Sequence, residues 1–275
     1  HILVVSFIGF QNDTIHVDSK KQELEIVLRD GVELKEVNVV SRKLGTMKLR
    51  NSVMNEDMIS SAELSRAACC NLGESFVTNP SVDVSYSDAA TGAKQIKLLG
   101  LSGTYVQMLT ENIPNYRGAA APYGLGYVPG PWMQSIQVSK GISSVKNGYE
   151  AITGQINVEF KKPQLPEADW VSANLFASTT NRYEANADAT LKLSKRWSTS
   201  LLAHYENETK AHDGNDDGFV DIPQVEQYNV WNRWAYMGDH YVFQAGFKAL
   251  SETRSSGQST HGGMYSGALY KVGID

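Results

Sequence analysis

At 275 residues the chain has room for one or two ordinary domains. A net charge of −5 with 20% charged residues excludes the basic footprint of a nucleic-acid binder. Mean hydropathy is −0.32, and no apolar run reaches the roughly eighteen residues of a membrane helix, which leaves alternating barrel strands open because they average out as hydrophilic.

Ile2–Phe7, Asp13–Val17 and Glu23–Leu28 read as strands. His1 already falls within the first, so the natural N-terminus is expected upstream. Three strands without partners would leave open edges. Leu34 to Val40 is extended and β-prone, and Leu34, Glu36, Val37, Val39 and Val40 suit addition to a partner's sheet edge, although any strand has this composition. Residues 51–79 are mixed. Ser60 with Glu63 makes a capping-box pattern, and Leu64, Ala67, Ala68 and Leu72 follow at helical spacing. A second helix, Glu74 to Thr78, stops before Pro80. Cys69 and Cys70 are the only cysteines. Adjacent cysteines make poor disulfides, and no clustered histidine or Cys-x-x-Cys supplies a metal site, so buried thiols are the plainer reading.

Ser81 to Ala93 reads as a strand and a polar loop. Ile96 to Gly100 is a short strand ending in glycine. Tyr105 to Leu109 is closed by Glu111, Asn112 and Pro114. Met133 to Ser139 stops at Lys140-Gly141, Ser143 to Tyr149 is short and polar, and Ile152 to Phe160 puts Ile156, Val158 and Phe160 on one face. Between these strands lies the Gly/Pro-rich segment 115–132. Its Tyr116, Arg117, Tyr123, Tyr127 and Trp132 suit a bulky ligand that is part apolar and part anionic, or else pack the loop upon itself.

Beyond Pro163 the pattern changes to long alternation. Trp170–Ser178, Tyr183–Ser194, Trp197–Tyr205, Gln227–Tyr236 and Tyr241–Ala249 are separated alternately by tight turns (Lys195-Arg196, Gly238-Asp239) and longer loops. Strands of about ten residues with aromatics near the turns predict a transmembrane β-barrel, where a soluble sandwich would have shorter ones. Five or six strands fall short of the roughly 22 of a plugged barrel, so a fragment is expected. In the loop Asp213 to Asp221, oxygen donors at Asp213, Asn215, Asp217 and Asp221, the Phe219 carbonyl and Gly218 follow the EF-hand Ca²⁺ spacing. Gln224 replaces the bidentate glutamate, so binding would be weaker; the alternative is a solvated acidic loop. No Gly-x-Ser-x-Gly, His-Glu-x-x-His or phosphate loop occurs, so no enzyme is expected.

The stretch IKLLGLSGTYVQMLTENIP followed by MQSIQVSKGISSVKNGYEAITGQINVEFKKP resembles the plug domain of TonB-dependent outer-membrane receptors in order and spacing. Glu111-Asn112 replaces the usual Asp-Gly, and Ser139-Lys140-Gly141 the usual Arg-Gly. ACCNLGESFVTNPSVDVSYSDAATGAKQI resembles the Bacteroidetes branch, and residues 1–33 resemble the end of a carboxypeptidase-regulatory-like β-sandwich. The resemblance implies a mainly β chain: a small mixed α/β plug at 51–163, then at 164–275 the first strands of an antiparallel transmembrane β-barrel, incomplete in this chain. It implies a TonB box within 34–50, energy-coupled uptake of a metal chelate such as a siderophore, haem or cobalamin, and TonB and outer-membrane lipid as partners, with room for a surface lipoprotein. No cofactor is required beyond an optional Ca²⁺. The competing expectation is a soluble or surface calcium-stabilised β-protein or adhesin.

Overall fold

The computed structural model describes residues 2–5, 13–16, 26–27, 46–48, 55–66, 70–77, 79–88, 90–101, 103–142, 148–163, 170–258 and 271–274. The chain divides into two compact units, His1–Lys43 and Leu44–Asp275. In the first, β1 (Ile2–Val5) pairs antiparallel with β2 (Asp13–His16), matching two of the three expected strands. Ile26 and Val27 are described and are not in a strand, and the rest of the third expected strand lies outside the described residues.

The second unit opens with β3 (Thr46–Lys48), β4 (Asn55–Ser60) and α1 (Ser61–Arg66). Sequence reading missed β4 because NEDMIS carries two acids. Its register on the sheet explains the pattern, with Asp57 and Ile59 on the buried face and Asp57 neutralised by Lys140 at 2.6 Å. The capping box does not form: the Ser60 hydroxyl has no hydrogen-bond partner, and Glu63 pairs with Arg66 instead. A 3₁₀ turn at Glu74–Phe76 replaces the second helix.

β5 (Val82–Asp88) and β6 (Ala93–Leu98) form a hairpin. β7 (Val106–Thr110) and β8 (Ile113–Pro114) form a second, tighter one. Then come the short helix α2 (Ala121–Gly124), β9 (Met133–Lys140) and β10 (Gly154–Phe160). The plug sheet runs β3-β4-β9-β10-β7-β8, with β10 parallel to β7 and antiparallel to β9. A side chain at Gly154 would run into the Ser139 backbone carbonyl, so only glycine lets β10 and β9 approach here. Ile59, Leu98, Ile136, Val138, Ile156, Val158 and Phe160 bury the sheet's inner face.

The remaining strands form one antiparallel meander: β11 (Val171–Ala177), β12 (Tyr183–Lys192), β13 (Trp197–Glu208), β14 (Gln224–Met237), β15 (Val242–Gly257) and β16 (Lys271–Ile274). Tight turns join β12 to β13 and β14 to β15 at one end, and the longer segment 209–223 joins β13 to β14 at the other. The meander is inside-out. Ser198, Ser200, His204, Glu206 and Glu208 of β13 are buried, while the alternate face carries Trp197, Leu201 and Tyr205. On the neighbouring strands Leu175, Tyr228, Trp234 and Phe247 are exposed. A sheet in water buries the opposite face. Among the described residues no helix is long and apolar enough to cross a membrane.

Candidate functional site

The plug holds a cavity of about 450 Å³, within the range of small-ligand pockets. Ile96 and Val106, from β6 and β7, are buried in its wall, and Met108 joins them. Tyr116 and Arg117 come from the loop before α2, Pro122 from the first turn of α2, and Tyr149 and Glu150 from the segment before β10. Arg117 donates from both Nε and Nη2 to Glu150 Oε1, the Nε bond being 2.7 Å, and lies 5.8 Å from the Tyr149 ring. Burial opposes ionisation of Glu150, but the Arg117 hydrogen bonds and charge hold its carboxyl below the usual glutamate range.

The five expected ligand contacts divide. Arg117 is exposed at the cavity. Tyr116 lines the cavity too, but its hydroxyl accepts a bond from Lys248 of β15, whose Nζ also lies 5.0 Å above the ring. Burial pushes the Tyr116 hydroxyl above the usual range and keeps it neutral. Tyr127 gives its carbonyl to Lys248 at 3.1 Å and to Asn229 at 3.0 Å, and burial pushes its hydroxyl up to about 12. Tyr123 lies under the Arg254 guanidinium at 5.6 Å. These three tyrosines therefore build the seam between plug and strands, with cations on β15 facing rings on the plug. Trp132 is corrected: it is 1% exposed, edge-on to Phe160 at 5.9 Å, and is a core residue that no external ligand reaches. An aromatic in a Gly/Pro-rich loop reads the same in sequence whether it points in or out.

The rest of the seam was not legible in sequence. Arg182 binds Glu184 at 2.6 Å, Glu206 at 3.1 Å and Glu74 of the plug at 3.1 Å. Lys161, at the end of the plug, holds Asp188 at 2.7 Å. Arg254 Nη1 donates to the Thr91 carbonyl at 3.1 Å, and Arg233 of β14 pairs with Glu111 in the β7–β8 turn. Cys70 is buried, and burial first, then nearby Glu184 and Glu74, pushes its thiol up, which fits the structural-thiol reading. Cys69 lies outside the described residues, as do Leu34, Glu36, Val37, Val39 and Val40.

In the acidic loop the oxygens are taken by backbone amides. Asp213 accepts from Asp217 N at 3.1 Å and Gly218 N at 2.8 Å, Asp217 from Phe219 N at 2.8 Å, and Asp221 from Gly214 N at 2.6 Å. Asn215 joins Asp217 at 3.0 Å. Among the described residues no three His, Cys, Asp or Glu side chains come together as a metal cluster.

Residues 48–155 match the family described as TonB-dependent Receptor Plug Domain. Three solved structures share the fold. The ferric-catecholate import receptor Fiu of E. coli K12, closed form, is 17% identical over 79% of this chain and 30% of its own, with a TM-score of 0.59. FpvA of P. aeruginosa, bound to a heterologous pyoverdine with iron, is 15% identical over 78% and 27%, with a TM-score of 0.59. The ferric yersiniabactin uptake receptor FyuA of Yersinia pestis is 16% identical over 75% and 32%, with a TM-score of 0.56. No curated protein matches. Residues 48–155 thus match a TonB-dependent receptor plug domain, and the plug with the strands that follow it shares the fold of these receptors. It spans about a third or less of the length of these receptors.

Proposed function

We propose that this chain is the gated end of an outer-membrane receptor that imports a scarce ligand, a metal chelate, at the expense of energy delivered by TonB. The observation that carries the reading is the inside-out meander: its polar face is buried on the plug and its apolar face is left for lipid. The plug-domain match and the receptor structures that share the fold support it. The ligand enters at the cavity beside Arg117, and Tyr116, Tyr123 and Tyr127 report its arrival to β15. Residues 34–40 pair as an added strand with TonB. A plug filling a barrel blocks free passage, so transport needs outside work and no nucleotide site. The test is accumulation of ⁵⁵Fe-loaded siderophores, haem and labelled cobalamin by cells expressing the full receptor, with and without tonB. Accumulation that requires both genes supports the reading. Equal accumulation without the receptor across all probes sinks it.

Calcium in the 213–221 loop is part of the same proposal. The loop carries its oxygen donors at EF-hand spacing, and Ca²⁺ would replace the amide bonds at Asp213 and Asp217 and stiffen the loop. Calorimetric titration of the full receptor, compared with Asp213→Asn, measures this directly. Identical traces end the calcium reading and leave uptake untouched.

A further inference from the structure

The seam holds a patch with too many donors. Trp231 and Arg233 lie two apart on β14 and so on one face of the strand, and Lys248 on β15 is directly opposite Trp231 in the register. Arg233, opposite Gly246, is therefore the diagonal neighbour of Lys248, about 7–8 Å away between backbones. Arg233 is 2% exposed, and its guanidinium lies 5.7 Å from the Trp231 ring. A Cβ on Gly246 would sit 2.7 Å from Trp231 Cζ2, so that glycine lets the indole lie against the strand.

Against these donors the structure sets few acceptors. Glu111 of the plug pairs with Arg233 Nη2, while Arg233 Nη1 and Trp231 Nε1 are buried without a hydrogen-bond partner. Lys248 has the Tyr116 hydroxyl and the Tyr127 carbonyl, and no carboxylate pairs with it among the described residues. A buried and a half-buried cation with one carboxylate between them are costly unless the arrangement serves another state. Every one of these acceptors belongs to the plug segment 111–127. Were that segment displaced, the acceptors would leave and the cations would stay on the wall. The acids of the neighbouring strands do not fill the gap, because Arg182 already binds Glu184 and Glu206, and Lys161 binds Asp188.

We propose that Trp231, Arg233 and Lys248 form an oxyanion-binding station on the barrel wall, which the Glu111 carboxylate occupies at rest and the oxyanion groups of the imported ligand occupy in transit. The ligand class it selects is anionic, carrying carboxylate, phosphate or similar oxygens beside a surface that stacks on an indole. This rests on the uptake reading, and it adds the charge of the cargo.

The test uses the full receptor in lipid with acetate as the probe. Glu111→Gly removes the resident carboxylate at a position whose φ of 53° glycine adopts without strain, so the variant is expected to fold. Its thermal midpoint should rise saturably with acetate against chloride at constant ionic strength. The wild type should show no such rise. Adding Arg233→Gln should weaken the acetate response about tenfold or more, the weight of one charge-assisted hydrogen bond. Adding Arg233→Lys instead should retain most of it. A Glu111→Gly receptor indifferent to acetate overturns the station, as does a response that survives Arg233→Gln with Lys248→Gln. Neither result touches uptake, which the tonB comparison decides independently.

Discussion

Asn112 sits at φ 64° directly after Glu111 at φ 53°, so the β7–β8 turn places both central residues in the left-handed region. A two-residue turn of this kind matches the twist of its strands, and asparagine followed by glycine is its preferred filling. Asn112→Gly is expected to hold or raise stability, and Asn112→Val to lower it by about 1–2 kcal/mol, read from urea unfolding of the receptor. Trp132→Ala should cost about 3–5 kcal/mol through the cavity it leaves. It should do so without altering the affinity of any ligand held by Arg117; an affinity change at unaltered stability would return Trp132 to the surface role first expected of it. The Arg117–Glu150 clasp has its own signature. The folded carboxyl lies below its unfolded value, so the clasp's contribution is present above that unfolded value and is lost as pH falls through the lower folded one. Carboxyl NMR of the labelled receptor should show the Glu150 midpoint moving upward in Arg117→Gln.

At the scale of elements, β12 to β15 make a prediction that separates a membrane wall from a soluble sheet. Leu201 is 45% exposed on the apolar face, and Ser200 beside it is buried on the polar face. Leu201→Arg should destabilise the receptor in bilayers by about 2–4 kcal/mol, measured by denaturant titration. The same change on a sheet facing water would be nearly silent, as the adhesin alternative requires. These strands were legible because alternation survives without context: the period at 183–194 and 197–205 needs only that one face differ from the other. Which face is buried was not legible, because period two is symmetric and only the plug decides it. β4 was hidden for a related reason. Asp57 looks like a surface residue until Lys140, far along the chain, is placed beside it. The candidate site shows the same division. The cavity's aromatic segment was visible in composition, whereas the pairing of Tyr116, Tyr123 and Tyr127 with Lys248 and Arg254 depends on long-range register.

Across the whole molecule, plug and barrel strands meet through ions and hydrogen bonds more than through apolar packing. Among the described residues beyond the plug, Leu202 alone is fully buried in the plug's core cluster, with Trp231 packed against it. Such a seam can open without exposing much apolar surface, which suits a plug that moves. Arg182 and Glu74 give a measure of its strength. A double-mutant cycle on Arg182→Gln and Glu74→Gln should return a coupling of about 0.5–3 kcal/mol for seating of the plug. Additive effects would show that Glu184 and Glu206 hold Arg182 by themselves.

The strand order of the plug sheet bears on how it would yield to force. β3 stands at one margin, and the β7–β8 hairpin with its Glu111 contact to the wall stands at the other. Tension arriving along the chain ahead of Thr46 meets the marginal strand first. There the hairpin with β4 is only three pairs long, from Thr46↔Ile59 to Lys48↔Asp57. Bonds loaded one after another rupture at low force, so this margin would peel while the β9–β10–β7 centre stays intact. The sheet is then a graded fuse, weakest where a pull enters and strongest where the plug is moored.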